Sequence, residues 1–486
     1  MKSRLKKLHE HQKSRLKKLH EHQKSRWKKL QSDTIIEISC RLWHIMKRKI
    51  EHQLEEWKAL EGHSPLIVKG IRQCGKTYSV LDFVKRNYKH HVYINFLEEK
   101  HYKAVFEQSL SVDDIIVNLS AMLAAPVELT AGESCLIFDE IQECPEARAS
   151  LKFFKLDGRF DVIGTGSLLG VSGYGMAPSS VPVGYETVID MRPMDFEEFL
   201  WAQNIPDIVL EKLKDCLSTL RPIPTAIHER MRQLLLQYAI IGGMPAVVER
   251  FVQSRQPALS LAMQRDLIRS YEDDMIKYAH ASDKGNIREC FRSIPKQLAK
   301  ENKKFQYAVI RKGATASRFR GSLQWIEDVG IINRCYNLNI TELPLDGNAI
   351  PDIFKVYMAD TGLFVSMLED GTQSDILQGN LGGYKGAIYE NIMADMLAKQ
   401  GKKLYYFHKD SGLEIDFVTR MHGEAVLLEV KSTTGNTKSA KTVLAHPEKY
   451  AVHHCIKFGD YNVGQSGGMI TVPLYAAAFI DGIPFF

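Results

Sequence analysis

Gly70-Ile-Arg-Gln-Cys-Gly-Lys-Thr77 has the spacing G-x-x-x-x-G-K-T. A glycine-rich turn that runs into a helix N-terminus presents backbone N–H groups to phosphate oxygens. In such a loop Lys76 reaches the terminal phosphates and the Thr77 hydroxyl is placed for Mg²⁺. Gln73, Cys74, Gly75 and Tyr78 complete the expected nucleotide-binding set with Gly70, Lys76 and Thr77. A second group follows at Ser134-Cys-Leu-Ile-Phe-Asp-Glu140, an apolar run ending in two carboxylates. Asp139 suits the Mg²⁺ shell, and Glu140 suits a base that polarises a water for in-line attack on the γ-phosphate. Lys76 and Glu140 are therefore the expected catalytic pair. Phe160-Asp-Val-Ile-Gly-Thr-Gly-Ser167 ends in Thr165 and Ser167, hydroxyls placed to sense the γ-phosphate.

A separate constellation lies near the C-terminus. Asp416 stands in Glu414-Ile-Asp-Phe-Val418, and Glu429-x-Lys431 closes Ala425-Val-Leu-Leu-Glu-Val-Lys431. Residues two apart share a strand face, so Glu429 and Lys431 point the same way. A helix expected over 384–399 brings Glu390. Three carboxylates could hold Mg²⁺, and the lysine could lower the barrier for a metal-bound water attacking a phosphodiester.

The elements that must position these groups can be read from pattern. Leu66–Val68 is a short apolar run before a glycine, as a buried strand would be, and residues 78–88 alternate as a helix would. Strands are expected at 91–96, 134–140 and 160–167, with helices between them. That alternation predicts a parallel α/β sheet over residues 46–200. Residues 201–285 read as a helical lid, in which Arg265 and Arg269 share a helix face; they could reach a nucleotide in cis or trans, and a solvated, salt-bridged face is the expectation. Residues 286–345 read as helices followed by a hairpin, a winged-helix-like module whose recognition helix would carry Arg318, Arg320 and Gln324. Residues 346–486 read as an α/β domain holding the C-terminal constellation.

These motifs, with Gly164-Thr-Gly-Ser-Leu-Leu169, Pro193-Met-Asp-Phe-Glu-Glu-Phe-Leu200 and Gly242-Gly-Met-Pro245, resemble a prokaryotic AAA-type ATPase family. That family joins an N-terminal ATPase to a C-terminal domain of uncharacterised function. The resemblance spans about residues 46–486 and implies an AAA+ core using ATP and Mg²⁺. Many relatives carry Gly-Arg after the sensor strand, where this chain has Gly184-Tyr185. The C-terminal constellation resembles the PD-(D/E)xK nuclease fold, with Ile415 in place of the usual proline before the aspartate. Double-stranded DNA, a homo-oligomer and a protein partner are all compatible with this reading. Many nuclease-like domains only bind, so a partner switch with an inert C-terminal domain stands as the alternative.

The 486 residues exceed one core and predict several domains. The net charge of +6 is misleading, because residues 1–30 hold nine Lys, three Arg and two Glu. The remainder is therefore slightly acidic, and charge alone gives no nucleic-acid footprint. Lys2–Gln12 recurs identically as Lys13–Gln23, and a third copy drifts. Identity at every position points to recent tandem duplication, Met46 opens a plausible natural start, and residues 1–45 are expected to pack poorly. The eight cysteines form no C-x-x-C pair, which fits reduced thiols in a cytoplasmic protein rather than disulfides or zinc. No apolar run approaches the ~20 residues of a membrane span.

Overall fold

Strand β1 (Leu66–Lys69) sits inside a five-stranded sheet with β2 (His90–Asn95), β3 (Ser134–Asp139), β4 (Asp161–Gly166) and β5 (Thr187–Asp190). The order is β2-β3-β4-β1-β5, and every pairing is parallel. The computed structural model describes residues 46–123, 126–167, 184–278, 284–300, 304–380, 384–431, 437–466 and 468–485. The expectations for residues 1–45 and for Leu168 and Leu169 fall outside these.

A parallel sheet is covered on both faces, so its strands carry unbroken apolar runs. All six residues of β3 are buried. Phe96, Phe106, Phe138 and Phe154 interlock on one side of it, with ring centroids 5.5–6.3 Å apart between neighbours. The helix Lys76–Asn87 buries Val80, Phe83 and Val84, the i, i+3, i+4 stripe of a core-facing helix. The helix Pro145–Asp157 has proline in its first turn and ends at Gly158 in the left-handed region. The result is a P-loop AAA fold, as expected. Strand β5 has no counterpart in the sequence reading. It is an edge strand of four residues, none fully buried, so it lacks the apolar signature of the other four.

The second sheet is mixed and eight-stranded, in the order β12-β13-β11-β10-β9-β8-β6-β7. Its strands are β6 (Ile332–Leu338), β7 (Ala349–Met358), β8 (Leu404–His408), β9 (Glu414–Met421), β10 (Glu424–Val430), β11 (His454–Gly459), β12 (Gly464–Ser466) and β13 (Met469–Pro473). The helices Lys284–Leu298 and Ala316–Asp328 precede the hairpin β6–β7, which keeps the order of the expected winged module. Strand β6 also pairs in parallel with β8. The wing is thus continuous with the C-terminal sheet, and the boundary expected at 345/346 falls inside a hairpin. Gln324 is engaged by Arg334 at 2.7 Å and Arg320 by Asp352 at 2.6 Å.

Residues from Arg48 onward form one compact unit. Buried side chains tie the AAA core to the C-terminal sheet. Lys399 Nζ lies 2.7 Å from Asp395 Oδ1 and 3.6 Å from Asp360 Oδ2, and it donates to Tyr238 Oη at 2.8 Å and to the Met194 carbonyl at 3.1 Å. Asp360 also accepts from the Gly243 N–H at 2.6 Å and caps the helix Thr361–Ser366. Gly243 approaches so closely that a Cβ there would sit 1.9 Å from the Met194 carbonyl oxygen. The Gly-Gly-Met-Pro and Pro-Met-Asp-Phe-Glu-Glu-Phe motifs are therefore two sides of one packed joint. Among the described residues no helix is long and apolar enough to cross a membrane, and all seven cysteines are free and buried.

Candidate functional site

The phosphate loop turns between the end of β1 and the helix Lys76–Asn87. Gly70 is required by its surroundings, since a Cβ there would lie 2.0 Å from the Met191 carbonyl oxygen. That carbonyl also accepts from Cys74 Sγ at 3.3 Å, and the Met191 N–H donates to Lys69 at 2.7 Å. Cys74 is thus a buried packing residue, while Gln73 is exposed with φ 64° and Tyr78 is half-buried in the first turn of the helix. Gly75 caps the helix with φ 97°.

Arg48 braces the loop from outside the motif. Its guanidinium donates to the Cys74 carbonyl at 2.9 Å, to the Arg192 carbonyl at 2.7 Å and to Glu198 Oε1 at 3.1 Å. Glu198 closes a capping box with Asp195 at the start of the helix Phe196–Ala202. Sequence pattern carries no signal for this role, because the partners lie 26 to 150 residues away.

Lys76 is buried and its ammonium donates to the carbonyls of Gly70 at 2.9 Å and Ile71 at 3.0 Å. Asp139 is the hub of the site. It accepts from Thr77 Oγ1 at 3.2 Å, Tyr93 Oη at 2.7 Å, Asn95 Nδ2 at 3.2 Å and the Glu140 N–H at 3.1 Å, and it also meets Thr165 Oγ1. Thr77, Asp139 and Thr165 are therefore brought together as the spacing predicts, and Tyr93 and Asn95 are additions from β2. Ser167 is buried and lines a cleft of about 330 Å³ with Gly70, Ile71, Arg192 and the turn at 327–333.

Glu140 adopts φ 51°, a left-handed conformation that costs of order 1–3 kcal/mol for a non-glycine residue. Its carboxylate accepts from Gln142 Nε2. Burial pushes its pKa above the ordinary value, an effect the Gln142 hydrogen bond and the charges of Lys76 and Arg72 oppose. A carboxylate raised in this way is better matched to taking a proton from water near neutral pH.

Of the C-terminal constellation, Asp416, Glu429 and Lys431 come together. The antiparallel register of β9 and β10 pairs Phe417 with Leu428, and one step further sets Asp416 opposite Glu429. Asp416 Oδ2 accepts from the Val430 N–H at 2.8 Å and from Lys431 Nζ at 3.2 Å, and Lys431 also pairs with Glu429. Burial raises the pKa of Asp416, with Glu390 next among the causes. Burial likewise raises Glu429 to about 7, with Asp416 adding to the shift. Glu429 Oε1 is buried and has no hydrogen-bond partner among the described residues. Glu390, on the helix Lys385–Lys399, is turned to Tyr357 Oη at 2.9 Å, and Lys355 Nζ lies 3.8 Å away. Among the described residues no three His, Cys, Asp or Glu side chains close into a metal cluster. Lys355, which sequence pattern did not single out, balances Glu390 and, at 3.1 Å, Glu414.

Arg265 and Arg269 are used on the surface of the helix Pro257–Tyr278, paired at 2.5 Å with Asp370 and at 2.9 Å with Asp266.

Residues 62–200 match the family described as AAA domain. Residues 232–374 and 385–476 match two families described as domains of unknown function, DUF8612 and DUF4143. No curated protein matches the chain. Solved structures with similarity include the Walker-type ATPase PABY2304 of Pyrococcus abyssi, at 13% identity and a TM-score of 0.39, covering 66% of this chain and 96% of that one. The Orc1 protein of Aeropyrum pernix in complex with DNA is 14% identical with a TM-score of 0.27, covering 68% and 91%. AMPPCP-bound DnaA from Aquifex aeolicus is 12% identical with a TM-score of 0.25, covering 57% and 86%.

Proposed function

We propose that this chain, whose residues 62–200 are an AAA domain, binds and hydrolyses ATP with Mg²⁺ and couples nucleotide state to its C-terminal domain. The observation that carries the reading is the contact of Thr77 Oγ1 with Asp139 at 3.2 Å, beside Lys76 and a Glu140 raised in pKa. Thr77 and Asp139 form a hydroxyl–carboxylate pair fitted to Mg²⁺, which would neutralise charge on the β- and γ-phosphates. In hydrolysis the water oxygen bonds to the γ-phosphorus, the bond to the β,γ-bridging oxygen breaks toward ADP, and Glu140 takes the water proton. Lys76, now on the loop's own carbonyls, exchanges them for phosphate oxygens. Thr165, resting on Asp139, reads whether the γ-phosphate is present.

The test is ATP turnover by the full chain in Mg²⁺, with and without double-stranded DNA. Turnover raised by DNA supports a DNA-directed machine. Turnover indifferent to DNA moves the reading to an ATP-driven switch on a protein partner, with an inert C-terminal domain. Absence of turnover removes the hydrolysis reading.

A second activity is favoured by Glu429 Oε1, which is buried without a hydrogen-bond partner among the described residues, on the strand paired with that of Asp416. Like charges opposite each other across a strand pair are unfavourable, and a divalent cation would relieve them. Asp416 and Glu429 would be the ligands of such an ion, which would supply an activated water for phosphodiester cleavage. Lys431 is positioned to hold a scissile phosphate or the attacking water. Because protons compete with the cation, binding should strengthen as pH rises through about 7, where Glu429 ionises. The folded-state pKa values are raised, so the pair's own contribution to stability is lost over the same rise. Mg²⁺ or Mn²⁺ should therefore raise Tm more at pH 8 than at pH 6. Asp416→Ala with Lys431→Ala should abolish both this stabilisation and any metal-dependent nicking of duplex DNA. A Tm gain that is unchanged in the double variant removes this activity.

A further inference from the structure

We propose that Arg72 is the arginine that meets the γ-phosphate in this chain, and that Asp274 holds it until nucleotide arrives. The proposal rests on the ATP reading above and adds a residue and a reporter to it.

Arg72 is the third residue of the phosphate loop, on the stretch whose backbone wraps the phosphates. Its charge, with that of Lys76, opposes the rise in the Glu140 pKa. In the structure Arg72 Nη1 lies 2.5 Å from Asp274 Oδ1. Tyr271 Oη donates to the Arg72 carbonyl at 3.1 Å. Both partners belong to the helix Pro257–Tyr278, which lies outside the AAA match. One helix therefore grips both the backbone and the side chain of one loop residue.

The other arginines described near the loop are committed elsewhere. Arg48 is buried and spends its donors on Cys74, Arg192 and Glu198. Arg192 is held by Asn333 at 3.2 Å and Asp190 at 3.6 Å. Arg148 makes a forked pair with Glu186 at 2.7 and 3.2 Å. Gly184-Tyr185 supplies no arginine, and the Tyr185 ring lies under Lys152 at 5.4 Å. Arg72 is 39% exposed, so its guanidinium can turn without opening a core.

The exchange has a direct physical basis. A guanidinium matches phosphate geometry with two parallel N–H bonds, and the γ-phosphate of ATP carries more charge than one aspartate. ATP draws Arg72 from Asp274, and loss of the γ-phosphate returns it. The side-chain link from the loop to the helix Pro257–Tyr278 is thereby broken and remade once per turnover, while Tyr271 stays on the Arg72 carbonyl.

The experiment compares the full-length wild type with Arg72→Ala, Arg72→Lys and Asp274→Asn. Each is measured for ATP turnover and for binding of AMP-PNP and ADP by calorimetry. Arg72→Ala should lower kcat by about 100-fold or more, since arginines in this role contribute large factors. It should weaken AMP-PNP while leaving ADP affinity within about twofold, which also shows that the loop is intact. Arg72→Lys should fall between, keeping charge but not the fork. Asp274→Asn should strengthen AMP-PNP relative to ADP. Turnover by Arg72→Ala within about threefold of wild type overturns the proposal, as does parallel loss of AMP-PNP and ADP, which marks a structural role only. If the wild type hydrolyses nothing, the hydrolysis reading fails on its own. The AMP-PNP/ADP ratio then decides Arg72: a drop in Arg72→Ala supports the contact, and an unchanged ratio overturns it.

Discussion

Glu140→Gln is expected to bind ATP about as tightly as the wild type and to hydrolyse it about 10³-fold more slowly. The substitution is isosteric, so the left-handed turn at φ 51° and the hydrogen bond from Gln142 can both persist. What is lost is the ability to take a proton from the attacking water. Lys76→Ala should behave differently. It removes the ammonium that now rests on Gly70 and Ile71, and with it the cation for the β- and γ-phosphates, so both binding and turnover should collapse. Equilibrium binding of labelled ATP beside a phosphate-release assay separates the two outcomes. Full turnover by Glu140→Gln would remove Glu140 as the base and point to another residue of the Asp139 cluster.

Lys399→Met is expected to cost about 3–5 kcal/mol of stability at pH 8. The ammonium is nearly inaccessible, as are the two carboxylates it faces, Asp395 at 2.7 Å and Asp360 at 3.6 Å. Methionine fills the volume but leaves both charges buried without their cation. The pH dependence follows from Asp395, which burial raises to about 6 even with Lys399 present. A carboxyl raised in the folded state contributes stability that is present at low pH and lost as pH rises through its folded value. Removing the cation moves that value further up. The deficit of Lys399→Met should therefore shrink at pH 5, where Asp395 takes up a proton, and be largest above pH 7. Urea unfolding midpoints at the two pH values check this. Equal deficits at both would show that charge burial is not the source. The same helix, Lys385–Lys399, carries Glu390, so loosening its end should also disturb the acidic centre of the C-terminal sheet.

The amino-acid sequence alone determined the parts of this protein whose physics is local. A phosphate loop is a run of adjacent backbone groups, so Gly70 to Thr77 announces itself without the rest of the chain. Strands that face the core need apolar residues, in runs or in alternation, which made β1 to β4 legible and left the polar edge strand β5 unseen. Asp139 and Thr165 could be placed because a parallel sheet puts strand ends side by side. Asp416, Glu429 and Lys431 could be paired because antiparallel neighbours oppose each other at fixed register. Tertiary structure decided what depends on groups far apart in the chain. Arg48 braces the loop through partners up to 150 residues away, and Asp274 pins Arg72 across 202. No periodicity encodes such contacts, because each is a single long side chain meeting a site assembled by other elements. The same reason hid the Lys399–Asp360–Asp395 joint, and it hid that β6 would pair with β8. An exposed strand edge can be satisfied by any complementary edge, and only the packed chain selects which one.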